Sequence, residues 1–172
     1  MIEKQVMELM KKLDTLDERS RMELLSQVDQ QRQELLLILL KHLDTSSSIN
    51  VKTAAIYLMG RHRLSDSVAE LIRRIDFDAG ENPLLSALPL WDRYPAMEAL
   101  INIGQPAVPA AVELLALDMN DLRRDLAVKV VRYVEDGEVA GFILTRAHAA
   151  ETDPNRKTNL QDAMNRLAKL PK

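Results

Sequence analysis

Residues 94–109 read YPAMEALINIGQPAVP, and this stretch decides how the rest of the chain is read. The apolar positions up to Ile103 suit one helix, Gly104 can take a left-handed position that closes it, and Pro106 can open a second. Pro109 falls in the first turn of that second helix, where a missing N–H costs nothing. The phrase led by Ala99, residues 99–104 (ALINIG), has counterparts at residues 55–60 (AIYLMG), 127–132 (AVKVVR) and 163–168 (AMNRLA). The leading alanines stand 44, 28 and 36 residues apart, which brackets the roughly 30–47-residue periods of helical repeats. Each small residue is placed to turn towards a neighbouring helix. Second members follow at matching offsets, Glu70 and Leu71 after Ala55, Glu113 and Leu114 after Ala99, Phe142 and Ile143 after Ala127, so the repeating unit is a helix pair.

Outward from this unit the pattern continues. Ile2, Val6, Met10 and Leu13 recur at helical spacing with charged residues between them, predicting an amphipathic first helix. A second helix begins near Asp17 and Glu18, runs over residues 19–28 and resumes over 31–43. Residues 35–40 are apolar all round and need cover on more than one side. Residues 1–45 read as a degenerate N-terminal repeat that caps the stack, and residues 46–172 as the repeat array, in one structural domain.

Within the array, residues 45–50 (TSSSIN) break the chain before a helix over 51–60, and Ser65 to Ser67 offer caps for a partner over 68–75. Residues 107–117 form the second helix of the next unit. Asn120 or Asp121 caps a helix that runs through Val134, Asp136 and Gly137 turn the chain, and a helix follows over 139–149. Asp153 and Pro154 start the last helix, with Leu160, Met164, Leu167 and Leu170 on its inner side and Pro171 ending it.

Composition agrees. The 172 residues are 47% hydrophobic, enough for one continuous core, and with aromatics at 3%, five Gly and seven Pro they favour helix throughout, so the chain reads as all-α. A formal charge of −3 argues against a general nucleic-acid binder. There is no cysteine, which removes disulfides, thiolate metal sites and thiol catalysis together. Charged residues Glu3, Lys4 and Glu8 break the N-terminus, which is not a signal peptide, and the apolar run at 35–40 is far below the roughly 20 residues a membrane span needs. A cytoplasmic, non-membrane protein is the expectation.

Tyr94, Pro95, Ala96, Ala99, Leu100, Ile103, Gly104, Pro106, Ala107, Val108 and Pro109 together resemble the helix, Ile-Gly, Pro-Ala-Val-Pro junction of the HEAT repeat family. The closest likeness is to the short HEAT-like repeats named for phycobilin lyases. Arg124, Ala127, Gly137, Glu138, Ala140, Glu151, Asp153 and Arg156 are similar to later positions of the same repeats. The resemblance spans about residues 50–170. It implies an α-solenoid of nine or ten antiparallel helices in a right-handed superhelix, first helices of each pair convex and second helices concave. Two departures stand out: the first unit carries His62 to Ser65 in place of the proline junction, and residues 77–93 form an insertion the period does not require.

That insertion, FDAGENPLLSALPLWDR, holds Leu84, Leu85, Leu88, Leu90 and the only tryptophan, Trp91. Long connections are commonly functional, and Trp and Arg are enriched where partners dock. The insertion is either an anchor for a partner or a short helix filling the gap between repeats. Arg61, Arg63, Arg73 and Arg74 cluster in one unit, and Arg123, Arg124, Lys129 and Arg132 in another. They form either a basic stripe for an acidic partner or, with Asp121, Asp125, Glu135 and Asp136 among them, a set of ion pairs; the ion pairs are the better reading. Candidate partner-binding residues are Arg73, Arg74, Leu84, Leu85, Leu88, Leu90, Trp91 and Arg93. Asp76, Asp78, Gly80 and Glu81 do not match the ligand spacing of a calcium loop. His42, His62 and His148 read as surface or half-buried histidines, and no triad, phosphate loop or cofactor motif stands in the sequence.

These features point to a non-enzymatic adaptor or scaffold that holds a protein or peptide on its concave surface and its insertion. Two alternatives follow from the resemblance: a bilin lyase-like or cofactor-handling chaperone subunit, and a HEAT-like DNA glycosylase, which the negative charge and single tryptophan oppose. The amphipathic first helix either caps its own chain or pairs with a second copy.

Overall fold

The structure, a computed structural model, describes residues 2–12, 17, 19–20, 32–80 and 93–171. Among these residues the chain is all-helical, with no strand. Nine α-helices follow one another: α1 (Ile2–Lys12), α2 (Arg32–Thr45), α3 (Ile49–Arg61), α4 (Val68–Arg73), α5 (Pro95–Ile103), α6 (Val108–Leu117), α7 (Asp121–Val134), α8 (Gly137–Ala150) and α9 (Pro154–Lys169). The helix expected over 19–28 lies outside the described residues beyond its first two.

The helix ends follow from side chains in the sequence. Ser48 Oγ accepts the Val51 N–H at 3.4 Å, and Asn120 Oδ1 accepts the Arg123 N–H at 3.1 Å. Asp153 Oδ1 accepts the N–H groups of Asn155 and Arg156 at 2.8 and 3.0 Å. Asp136 does more than turn the chain. It caps α8 itself, accepting the N–H groups of Glu138 and Val139 at 3.0 and 2.9 Å, so the helix starts at Gly137 rather than Val139.

The glycines of the first two phrases do different work. Gly104 closes α5 at φ 86°, ψ −140°, a backbone conformation open to little but glycine, and the chain bends by 119° into the next helix. Gly60, its counterpart in the phrase, stays inside α3, which continues to Arg61. The reversal there falls instead on Arg63, at φ 49°. Arg32 of α2 fastens this turn by donating from Nη2 to the carbonyls of His62 and Arg63, the latter at 2.9 Å. Both second helices are entered through a single 3-10 turn, Ser65–Ser67 before α4 and Gln105–Ala107 before α6.

Packing is regular. The helices that carry the leading alanines lie against one another in order, α3 on α5, α5 on α7 and α7 on α9. Each intervening helix leans on the next of these: α2 on α3, α4 on α5, α6 on α7 and α8 on α9. α9 also packs on α6. The leading alanines Ala55, Ala99, Ala127 and Ala163 are all at most 2% exposed. A methyl group on Gly60 would stand 2.6 Å from the Ala99 Cα, so α3 and α5 approach closely here because residue 60 has no side chain.

α1 packs on α2 and α3 with Val6 and Met10 buried. Leu35, Ile38 and Leu39 of α2 are buried, whereas Leu37 is 69% exposed, so the apolar run is covered on more than one side but not all round. No single helix among the described residues is long and apolar enough to cross a membrane.

Candidate protein-binding surface

α4 and α6 lie side by side, and a cleft of 580 Å³ opens along them. Ala69 and Ile72 of α4 form one wall, and Ala110, Glu113, Leu114 and Leu117 of α6 the other, with Asp118, Met119 and Arg123 at one end. α6 (VPAAVELLAL) has Glu113 as its one charged residue. Val108, Ala111, Leu115 and Ala116 turn inward, and Leu114, itself buried, lines the cleft. Leu117 is 56% exposed and Met119 76% exposed, large apolar side chains left bare at the mouth of the cleft.

Arg123, in the first turn of α7, builds the end of this cleft. Its Nε donates to Asp118 Oδ2 at 2.6 Å, and its Nη1 to Asp76 Oδ1 at 2.7 Å and to the Arg73 carbonyl at 3.1 Å. Nη2 reaches the Ile72 carbonyl at 3.3 Å. The guanidinium thus closes the C-terminal end of α4, where helix carbonyls favour a cation. Burial raises the cost of ionising Asp118, but the Asn120 N–H and Arg123 outweigh it and hold the carboxyl below its ordinary range.

Asp76 lies one residue before the insertion of residues 77–93, so the cleft and the root of the insertion share a charged anchor. The two ends of the insertion are tied together. The Ala79 N–H donates to the Arg93 carbonyl at 2.9 Å, and Arg93 donates from Nε and Nη2 to Asp78 Oδ2 at 2.8 and 2.7 Å. Arg93 also stands 5.9 Å over the Tyr94 ring. The Arg93 hydrogen bond, with the Gly80 N–H, holds the Asp78 carboxyl below its ordinary range. Asp76 and Asp78, considered above as fragments of a cation loop, are each taken by an arginine. Leu84, Leu85, Leu88, Leu90 and Trp91 lie outside the described residues.

Of the arginine clusters, Arg73, Arg74, Arg123 and Arg124 are held in ion pairs. Arg73 pairs with Glu70 at 2.6 Å, and Arg74 with Glu70 and with Asp44 of α2. Arg124 is 4% exposed; its Nη2 donates to Asp162 Oδ2 at 2.9 Å and to the Asn159 carbonyl at 2.7 Å. Of the sequence candidates, Arg73 is 66% exposed at its side chain and Arg93 64%, while Arg74 is 25% exposed and engaged between helices. Neither Leu117 nor Met119 was among the sequence candidates. The available signal was an α6 sequence too apolar for the one face it can bury. A second open cleft, of 720 Å³, lies among α7, α8 and α9, lined by Thr145, Met164, Leu167, Ala168 and Leu170 among others. Among the described residues no group of three or more His, Asp or Glu is arranged to hold a metal ion. Compared with known proteins, the chain matches no family model, no curated protein and no solved structure.

Proposed function

We propose that this chain is a HEAT-like repeat module that binds a protein or peptide in the cleft between α4 and α6, with the insertion at 77–93 as a second contact. The solenoid reading is supported by the repeated order of packing, leading helix on leading helix and each intervening helix on the next leading one. In that reading the intervening helices form the concave side, and the cleft lies on it.

The observation that carries the functional reading is the exposure of Leu117 and Met119, 56% and 76%, beside an apolar cleft with fixed walls. Large apolar groups at the mouth of a groove suit an apolar side chain of a partner, and the thioether of Met119 adapts to several shapes. The module works by holding, with no chemistry of its own, as an adaptor in the cytoplasm.

The test compares partners recovered from native extract by the wild type, by Leu117→Glu with Met119→Glu, and by Trp91→Ala. The reading expects a partner recovered by the wild type to be lost from the double variant and reduced with Trp91→Ala, while helical content is unchanged. Identical recovery from all three contradicts it.

A further inference from the structure

We infer that the outer face of α8 is a homotypic interface, on which two copies of this chain pair through antiparallel α8 helices. α8 leans on α9 and, to a lesser extent, α7. Of its 14 residues only Ala140 and Leu144 are buried. In the packing order of the other intervening helices its neighbour would be α6, but α9 occupies that contact. The face turned away carries Phe142 at 67% exposure and Val139 at 40%. At the positions equivalent to Phe142 the two preceding units carry glutamates held in ion pairs, Glu70 with Arg73 and Arg74 and Glu113 with Arg156, whereas the third unit carries an aromatic ring.

The charges on this face select the occupant. Glu138 and Arg146 lie four residues before and four residues after Phe142, both exposed, within roughly 60° of it around the helix together with Val139 and Thr145. Eight residues, about 12 Å, separate them, too far for a pair within the helix. Neither makes an ion pair with a described residue. A two-fold axis passing beside Phe142 sets the two rings against each other. The same axis brings Glu138 of each copy level with Arg146 of the other, while Thr145, whose hydroxyl donates to the Gly141 carbonyl at 2.8 Å and lies 3.6 Å from Met164 Sδ, stays turned towards α9. The face is therefore its own complement in charge, the condition for an isologous dimer. A foreign partner would need this antisymmetric charge order by coincidence; a second copy has it by construction. A single helix pair covers less than the roughly 800 Å² per partner of a standard interface, so the dimer is a weak one that forms in the micromolar range.

Sedimentation velocity of the full chain over a concentration series from low to high micromolar tests this. The wild type is expected to shift from monomer to dimer across the series, and Phe142→Glu to remain monomeric with unchanged circular dichroism and melting. Glu138→Arg and Arg146→Glu each create two like-charge contacts per dimer and should weaken association about tenfold, whereas the double exchange restores it. A wild type that stays monomeric throughout overturns the inference. So does a Phe142→Glu variant that dimerises as the wild type does, or a double exchange as weak as its single parents.

Discussion

At the scale of single residues, the approach of α3 to α5 is set by what is missing from Gly60. The absent methyl lets α3 and α5 approach until a Cβ at residue 60 would meet the backbone of Ala99 at 2.6 Å, an obstacle that no rotamer change removes. Gly60→Ala gains about 1 kcal/mol in helix propensity but forces two packed helices apart, at a cost of about 1–3 kcal/mol. Overpacking wins, and denaturant unfolding should show a net loss of stability; a more stable variant would mean that the contact relaxes freely. The phrase in which Gly60 stands was legible in the sequence, and so was the burial of its leading alanine. The division of labour between Gly60 and Gly104 was not. Identical letters at matched positions do not reveal that α3 continues to Arg61 and shifts the reversal to Arg63, because that choice depends on Arg32, thirty residues away.

At the scale of elements, α9 is bound to α7 by charge as well as by apolar packing. Arg166 donates to Asp162, Asp125 and Asp121 at 2.6, 2.5 and 2.5 Å, and Arg124 reaches the same Asp162 from beneath. Arg166 first, with the smaller contribution of Arg124, holds the Asp162 carboxyl below its ordinary value of 3.8. The unfolded chain therefore takes up this proton first as pH falls. The contribution of the pair to stability is complete above about pH 4 and is lost as pH drops through the lower, folded value. Asp162→Asn should lower the melting temperature at pH 7 and flatten its fall below about pH 4. An unchanged acid limb in the variant would show that the acid response arises elsewhere. The caps Asn120 and Asp153 could be read from sequence because a cap is a local arrangement, whereas Asp136 reads there as a turn and Ser48 as part of a polar break. Arg123 could not, since its partners Asp76 and the carbonyls of α4 lie about fifty residues back.

At the scale of the whole molecule, helices that cannot stand alone are stabilised by neighbours in a fixed order. That order opens an apolar cleft between α4 and α6 and leaves Val139 and Phe142 of α8 bare. Composition and period conveyed the all-helical fold. They could not show which apolar residues stay outside: Leu117, Met119 and Phe142 look like core residues until the packing order assigns the inner positions to others. Ala99 marks where α5 meets α3 at Gly60, and thermal melting of Ala99→Glu probes that contact, with Ala69→Glu at an exposed position as the control. A carboxylate forced against α3 costs several kcal/mol, and the melting temperature should fall by roughly 10 °C or more, with the control within a degree or two of the wild type. Equal melting of Ala99→Glu and wild type would contradict the helix register on which the fold, the cleft and the α8 interface all depend.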